Sequence, residues 1–248
     1  MKKFFILALT IGVLIGLRAW DPVPIETLRL KTFDYFISTL PNIGDENILL
    51  VDIDDDSLQN LGQWPWPREV FCRFLGPGVT GFSVLFPEED RFGGDKNLAK
   101  CIKKNSVVVS AAASNSISAG RPPHVGTSSF GEDPKPFLYS YDGVLNNVKL
   151  LEDAAVGNGI TSTAPEVDGL VRRLPLVFNI NNTLYPSFGI EILRAATGSR
   201  SYTLKTKETG VEALRVRGIA PITTDSNARI WTYWNTKFTR ISAKDYME

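Results

Sequence analysis

Apolar and polar positions divide this chain into a membrane-length opening and a long folded remainder. After Met1-Lys2-Lys3 comes an apolar run from Phe4 to Leu17, closed by Arg18 and Trp20. A helical span needs about 20 residues. A snorkelling arginine and an interfacial tryptophan bring residues 4–20 close to that length. The segment reads as an uncleaved signal anchor in the inner (cytoplasmic) membrane. Lys2 and Lys3 then stay inside, and everything after Trp20 lies in the periplasm or outside. A cleaved signal peptide fits the same pattern, although Leu17-Arg18-Ala19 is a poor small-residue cleavage site. No later stretch is apolar enough to span.

Beyond residues 21–24, Asp-Pro-Val-Pro, which form a stiff exit, the pattern turns amphipathic. Ile25, Leu28, Leu30, Phe33, Phe36 and Ile37 oppose Glu26, Arg29 and Lys31, which predicts a helix over Ile25–Thr39 ended by Pro41. Ile48–Val51 is apolar throughout and reads as a buried strand. Val79–Phe86 and Val107–Ala113 are further apolar runs, with a helix after Arg68 and another over Asp95–Lys104 between them. Strands joined by helices argue for a parallel sheet. Ser114–Pro136 is rich in Gly, Pro and Ser and reads as a long loop. Leu145–Leu151 reads as an edge strand, and Gly157–Thr163 as strand or loop. Leu170–Ile180 and Thr183–Pro186 make a hairpin about Asn181-Asn182. Phe188–Thr197 is a helix stopped by Gly198, and Val211–Val216 and Ile230–Trp234 are closing strands. The fold class is therefore α/β: a mixed, largely parallel central sheet flanked by helices, after one N-terminal transmembrane helix. The division is an anchor, 1–20, and one extracytoplasmic domain, 21–248.

The most distinctive stretch runs from Asn47 to Arg68, NILLVDIDDDSLQNLGQWPWPR. If its strand continues to Asp54, period two places Asp52 and Asp54 on one face at the carboxyl end, where open α/β sheets place their ligand crevice. Asp55 follows. The same acids could instead cap the helix starting near Ser57 and pair with Arg68. Pro65 and Pro67 hold the backbone extended around Trp64 and Trp66, so the indoles should point to different sides and at least one should enter the core. Pro67 suits the first position of the following helix.

This stretch resembles the CHASE domain, type 2. A second block, GNGITSTAPEVDGLVRRLPL from Gly157 to Leu176, carries the same resemblance, as does a weaker one, GFSVLFPEED from Gly81 to Asp90. The resemblance implies an extracytoplasmic sensory domain without catalysis of its own, of the kind attached to bacterial adenylate or guanylate cyclases, histidine kinases and other receptors. Ser83 stands where the family usually has Asp, and Gly76-Pro77-Gly78 should end the helix after Arg68 early. The chain stops near where the family's sensory domain ends, so an output domain is expected outside it. The implied partners are a small ligand or a periplasmic protein, with a homodimer compatible. No cofactor or metal is implied.

Composition narrows the alternatives. There are 27 basic and 27 acidic residues, so no nucleic-acid footprint is visible. Cys72 and Cys101 lack metal-ligand spacing and fall in predicted helices, which favours two buried free thiols over a disulfide, although an oxidising compartment would allow one. An apolar strand followed by Asp-x-Asp is also the nucleophile motif of haloacid-dehalogenase-type phosphatases, which would use Asp52 and Asp54. That chemistry further needs a lysine and a distal acidic pair. A third reading is a non-signalling interaction protein that keeps the fold. The candidate ligand residues are Asp52, Asp54, Asp55, Arg68, Asp168 and Arg172. Period two sends Arg172 and Arg173 to opposite faces, and pairing with Glu166 or Asp168 competes with anion binding. Gly93-Gly94-Asp95 resembles a diguanylate-cyclase signature broken by Lys96 and Asn97. Gly157-Asn158-Gly159 lacks the third glycine of a dinucleotide loop. His124, the one histidine, reads as a solvated loop residue.

Overall fold

A computed structural model describes residues 2–41, 44–117, 120–234 and 238–248. Helix α1 (Lys2–Trp20) buries no residue, and it is the one helix among the described residues long and apolar enough to cross a membrane. Asp21 adopts a positive φ of 43°, and Pro22 precedes helix α2 (Val23–Thr39). One side of α2 packs on the body through Leu30, Phe33 and Asp34, whereas Leu28, Tyr35 and Phe36 stay exposed.

The next strand, β1 (Leu49–Asp52), stops two residues short of Asp54, which caps helix α3 (Asp55–Leu61). A 3-10 helix, Arg68–Phe74, follows and ends before Gly76-Pro77-Gly78, as those residues require. Strands β2 (Val79–Phe82) and β3 (Ser106–Ser114) pair in parallel around helix α4 (Asp95–Lys103). Strand β4 (Thr127–Gly131) lies within Ser114–Pro136, so that segment is not a plain loop. Residues 118 and 119 of it lie outside the described residues. Two short strands, β5 (Ser140–Tyr141) and β6 (Gly143–Leu145), precede helix α5 (Lys149–Ala154). The edge strand expected over Leu145–Leu151 is thus not formed: Leu145 ends β6, Asn146–Val148 is irregular and Lys149–Leu151 opens α5, whose buried side carries Leu151 and Glu152.

Strand β7 (Gly157–Ile160) pairs in parallel with β3. Strands β8 (Arg173–Pro175), β9 (Val177–Ile180) and β10 (Thr183–Pro186) come next, and β9–β10 is the expected hairpin. Asn181 and Asn182 take φ of 45° and 62°, the left-handed pair that a two-residue turn demands. Helix α6 (Phe188–Ala196) is followed by β11 (Tyr202–Lys207), β12 (Gly210–Val216), β13 (Ile222–Thr223) and β14 (Arg229–Trp231). Strand β15 (Thr239–Ser242) and helix α7 (Ala243–Met247) complete the described chain.

The sheet is divided rather than continuous. Around β3, strands β2 and β7 are parallel and β6 antiparallel. A second sheet runs β13-β12-β11-β4, and a third β10-β9-β5. Strand β1 does not join β2, as its place in the sequence suggests; it pairs in parallel with β15, Leu49 opposite Thr239 and Asp52 opposite Ser242. The core has three parts. One gathers Trp66, Phe71, Phe86, Leu98 and Ile102 beneath α4; another fills the space around β11 and β12; the third lies between β3 and the β9–β10 hairpin.

Candidate functional site

Arg172 is the most constrained of the candidate residues. Its side chain is 3 % exposed, yet it carries a full charge, so its guanidinium must be paired. It donates to Asp168 through Nη1 and Nη2 at 2.8 and 2.7 Å, and to Asp34 of α2 through Nε and Nη2 at 2.6 and 2.7 Å. Both pairs are two-pronged, the strongest geometry open to arginine and carboxylate. The hydrogen bonds from Arg172 hold the Asp168 carboxyl at about 2 and also hold that of Asp34 below its ordinary range. The body thereby grips the entry helix through one buried cation. Asp34 lies 138 residues from Arg172 in sequence, and no local pattern pointed to it.

Next to this clamp, Arg173 pairs with Glu166 at 2.7 Å and with Asp225 at 3.2 Å, and it lies over the Trp231 ring. Arg229 adds contacts to Asp225 and to the Tyr139 hydroxyl. Arg173 holds the Glu166 carboxyl below its usual range. The two arginines therefore serve different partners, as their alternation requires. Trp231 packs against Phe33 of α2, with ring centroids 4.3 Å apart and the planes tilted by 38°.

The acids after β1 face the end of the chain. Asp52 stands opposite Arg240 at 3.5 Å, and Asp56 opposite Lys244 at 3.3 Å. Between them, Asp54 accepts from the Ser57 backbone N–H at 2.9 Å, from Ser57 Oγ at 2.6 Å and from Ser242 Oγ at 2.9 Å. The Ser57 hydroxyl and amide hold the Asp54 carboxyl below its ordinary value. Asp54 is thus a helix cap that also ties down β15. Asp55 is exposed. The strand ends at Asp52, so the two carboxylates do not form the strand-end pair that a phosphatase nucleophile motif uses.

Arg68 is elsewhere. Its Nε donates to Asp95 at 3.4 Å, its Nη2 donates to the Glu88 carbonyl at 3.0 Å, and its guanidinium lies 4.5 Å from the Phe86 ring centre. Arg68 thus pairs with Asp95 and not with the acids of Asp52–Asp55. Six candidate residues therefore fall into three places: Arg172 and Asp168 at the α2 clamp, Asp52, Asp54 and Asp55 at the end of β1 and start of α3, and Arg68 against the start of α4. Trp66 is 2 % exposed, with its indole N–H donating to the Gly62 carbonyl at 2.7 Å, whereas Trp64 is 37 % exposed. Pro65 and Pro67 flank Trp66 in that turn, and the Trp64-Pro65 peptide is cis rather than a simple extended link.

A family model described as CHASE2 domain matches residues 7–248. The chain belongs to the CHASE2 domain family. Neither a curated protein nor a solved structure matches it. CHASE2 domains are extracytoplasmic sensory domains of signalling receptors and are not themselves catalytic. The match begins inside α1, so the apolar helix and the folded body fall within one family unit, consistent with a membrane-anchored extracytoplasmic domain.

Within this CHASE2 domain two motifs gain a structural meaning. Gly157 and Gly159 let α6 lie directly on β7: a Cβ at Gly157 would sit 1.9 Å from Glu191 Oε1, and one at Gly159 2.5 Å from Phe188 Cα. Glu191 and Arg194 form a buried pair at 2.9 Å, and Arg194 also donates to the Val156 and Ser199 carbonyls. The glycines thus serve helix packing, not a phosphate loop. Gly93-Gly94-Asp95 opens α4, with Asp95 accepting from Arg68 and from the Asp90 backbone N–H. Ser83 is exposed just past β2, and His124 is an exposed loop residue. Cys72 and Cys101 form a disulfide, not two free thiols. The 3-10 helix lies against α4 and brings their Cα atoms to 5.7 Å, within bridging range.

Proposed function

We propose that this domain senses a small ligand or a periplasmic protein and relays the event through its two ends, to a cyclase or histidine-kinase output of the type attached to such domains. The residence is the inner membrane, with α1 as the anchor. The observation that carries the reading is the Asp34–Arg172–Asp168 clamp. It links the helix that leaves the membrane to the body that meets the ligand through a guanidinium that is itself buried. The exit segment is held more lightly, by Asp52, Asp54 and Asp56, which meet Arg240 and Ser242 of β15 and Lys244 of α7. A ligand changes the equilibrium between two placements of α2 only through unequal affinity for them. An arginine shared by two carboxylates provides two such placements, gripping α2 or released from it with Asp168 still paired.

The test joins this chain to the membrane helices and output domain of a receptor of the same family. Asp34→Asn and Arg172→Gln are expected to change basal output and to speed amide exchange along α2, with expression unaltered. Unchanged output in both variants, with α2 still protected, would refute the relay.

A further inference from the structure

Beside the clamp, between α2 and the body, lies a pocket of about 340 Å3. Its floor is apolar: Leu30 is 2 % exposed, and Phe33 packs against Trp231. Its rim carries three arginines. Arg18 comes from the last turn of α1, Arg29 from α2 and Arg173 from β8. The one acidic lining residue is Glu26, which pairs with Arg29. Asp21 stands 3.5 Å from Arg18 and 3.3 Å from Arg29, while Arg173 is engaged by Glu166 and Asp225. These carboxylates orient the guanidiniums without covering them, because the Arg18 and Arg29 side chains remain 72 % and 49 % exposed.

The height of the pocket decides what can reach it. Arg18 lies two residues before the end of the membrane-length helix, and Trp20, 77 % exposed, marks the interface. The rim is therefore at headgroup level, where the surrounding molecules are lipids. Guanidinium groups bind phosphate oxygens with two parallel N–H donors. An aromatic floor beneath them suits the glycerol end and first methylenes of a lipid. We propose that the pocket holds the headgroup phosphate of an anionic phospholipid from the extracytoplasmic leaflet, with Arg18 and Arg29 on the phosphate and Phe33 and Trp231 beneath it. Such a lipid would join α1 and α2 to the body one helical turn from Asp34, so membrane composition would bias the placement of α2. This consequence rests on the relay reading; the binding itself does not.

The experiment uses the full chain in bilayer discs of phosphatidylcholine alone, or of phosphatidylcholine and phosphatidylglycerol in equal parts. Lipid retained after gentle release is counted by native mass spectrometry. Phosphatidylglycerol is expected to be retained over phosphatidylcholine by about tenfold, equivalent to about 1.4 kcal/mol. Arg18→Gln with Arg29→Gln should abolish the preference, and Arg29→Lys, which keeps the charge and loses the two-pronged donor, should preserve only part of it. These side chains are solvent-exposed, and unchanged circular dichroism would confirm that the variants fold. Equal retention of the two lipids, or a preference untouched by the double substitution, would overturn the proposal. Displacement of phosphatidylglycerol by inorganic phosphate would also overturn it, by making the site one for the free ion. Amide exchange of α2 in Asp34→Asn reads the clamp separately, so loss of lipid selectivity and failure of the relay are distinct results.

Discussion

At the scale of single residues, the chain spends its charge on holding its own segments. Asp168 is the clearest case, because Arg172 donates to both of its oxygens. Its folded value of about 2 lies below the ordinary value of an unfolded aspartate, about 3.9. A depressed carboxyl stabilises the fold above the unfolded value, and that contribution fades as pH falls toward the folded one. The clamp should therefore weaken between about pH 4 and pH 2, with Asp34 following in the same direction. Carboxyl titration by NMR is expected to place the Asp168 midpoint near 2, and Arg172→Gln should return it to the ordinary range. A midpoint already ordinary in the wild type would contradict the geometry. Gly157 gives a second residue-scale prediction. A methyl there meets the Glu191 carboxylate, and overpacking of this kind costs about 1–3 kcal/mol. Gly157→Ala should lower the chemical denaturation midpoint accordingly, whereas Gly189→Ala, whose Cβ meets nothing within 4 Å, should not. Of these features only the local ones were legible in the sequence. Asn181-Asn182 announces its turn because both residues tolerate positive φ. Asp34 announces nothing, since its role exists only once Arg172 is folded beside it.

At the scale of elements, β11 shows a signal that the elements expected from the sequence passed over. Tyr202, Leu204 and Thr206 are buried and alternate with Thr203, Lys205 and Lys207, a period-two signal for β11 that is present in the sequence. Leu145–Leu151 misleads for the opposite reason: its apolar residues are interrupted by Asn146, Asn147 and Lys149, a mixed pattern that a strand or a short half-buried helix fits equally well, and the chain turns into α5 at Lys149. The Trp-Pro-Trp-Pro-Arg element was legible as a scaffold, and its two indoles should behave differently. Trp66→Ala is expected to cost about 3–5 kcal/mol through lost transfer energy and the cavity left behind. Trp64→Ala should cost clearly less, since Trp64 keeps more than a third of its surface exposed. Equal losses measured by denaturation of the fragment from Asp21 onward would refute this division. The neighbouring disulfide closes a sequence separation of 29 residues. By loop-closure entropy such a bridge contributes about 3–4 kcal/mol. Cys72→Ser with Cys101→Ser should lose a stability of that order relative to the oxidised chain, and a denaturation midpoint unaffected by the double substitution would assign the bridge no stabilising role. Sequence reasoning placed both cysteines on helices, but it could not see that those helices touch.

At the scale of the whole molecule, the entry and the exit run side by side. The β14 segment lies along α2 through Trp231 and Phe33, and the Tyr233 hydroxyl donates to the Pro41 carbonyl beyond the end of that helix. The chain then passes to β15, which pairs with β1, and to α7, where Tyr246 stacks on Phe74 and Arg73 donates to the Met247 carbonyl. Strand β1 was readable as a strand. That its partner would be β15 was not, because a parallel pair between distant segments leaves no local trace. This closure makes Asp54 one of the residues that couple the two segments, since its carboxylate caps α3 and accepts from Ser242. Asp54→Ala is expected to cost about 1 kcal/mol through the lost cap alone. Its larger effect should be local: faster amide exchange and faster proteolysis over residues 239–247, with α2 protection unchanged. Asp54→Asn can still accept from Ser57 and should keep more of the exit protected than alanine does. If both variants leave residues 239–247 as protected as the wild type, the exit is held by β1 pairing and the Tyr246–Phe74 contact. A signal could not then leave the domain through Asp54, and the relay would have to run through the α2 clamp alone.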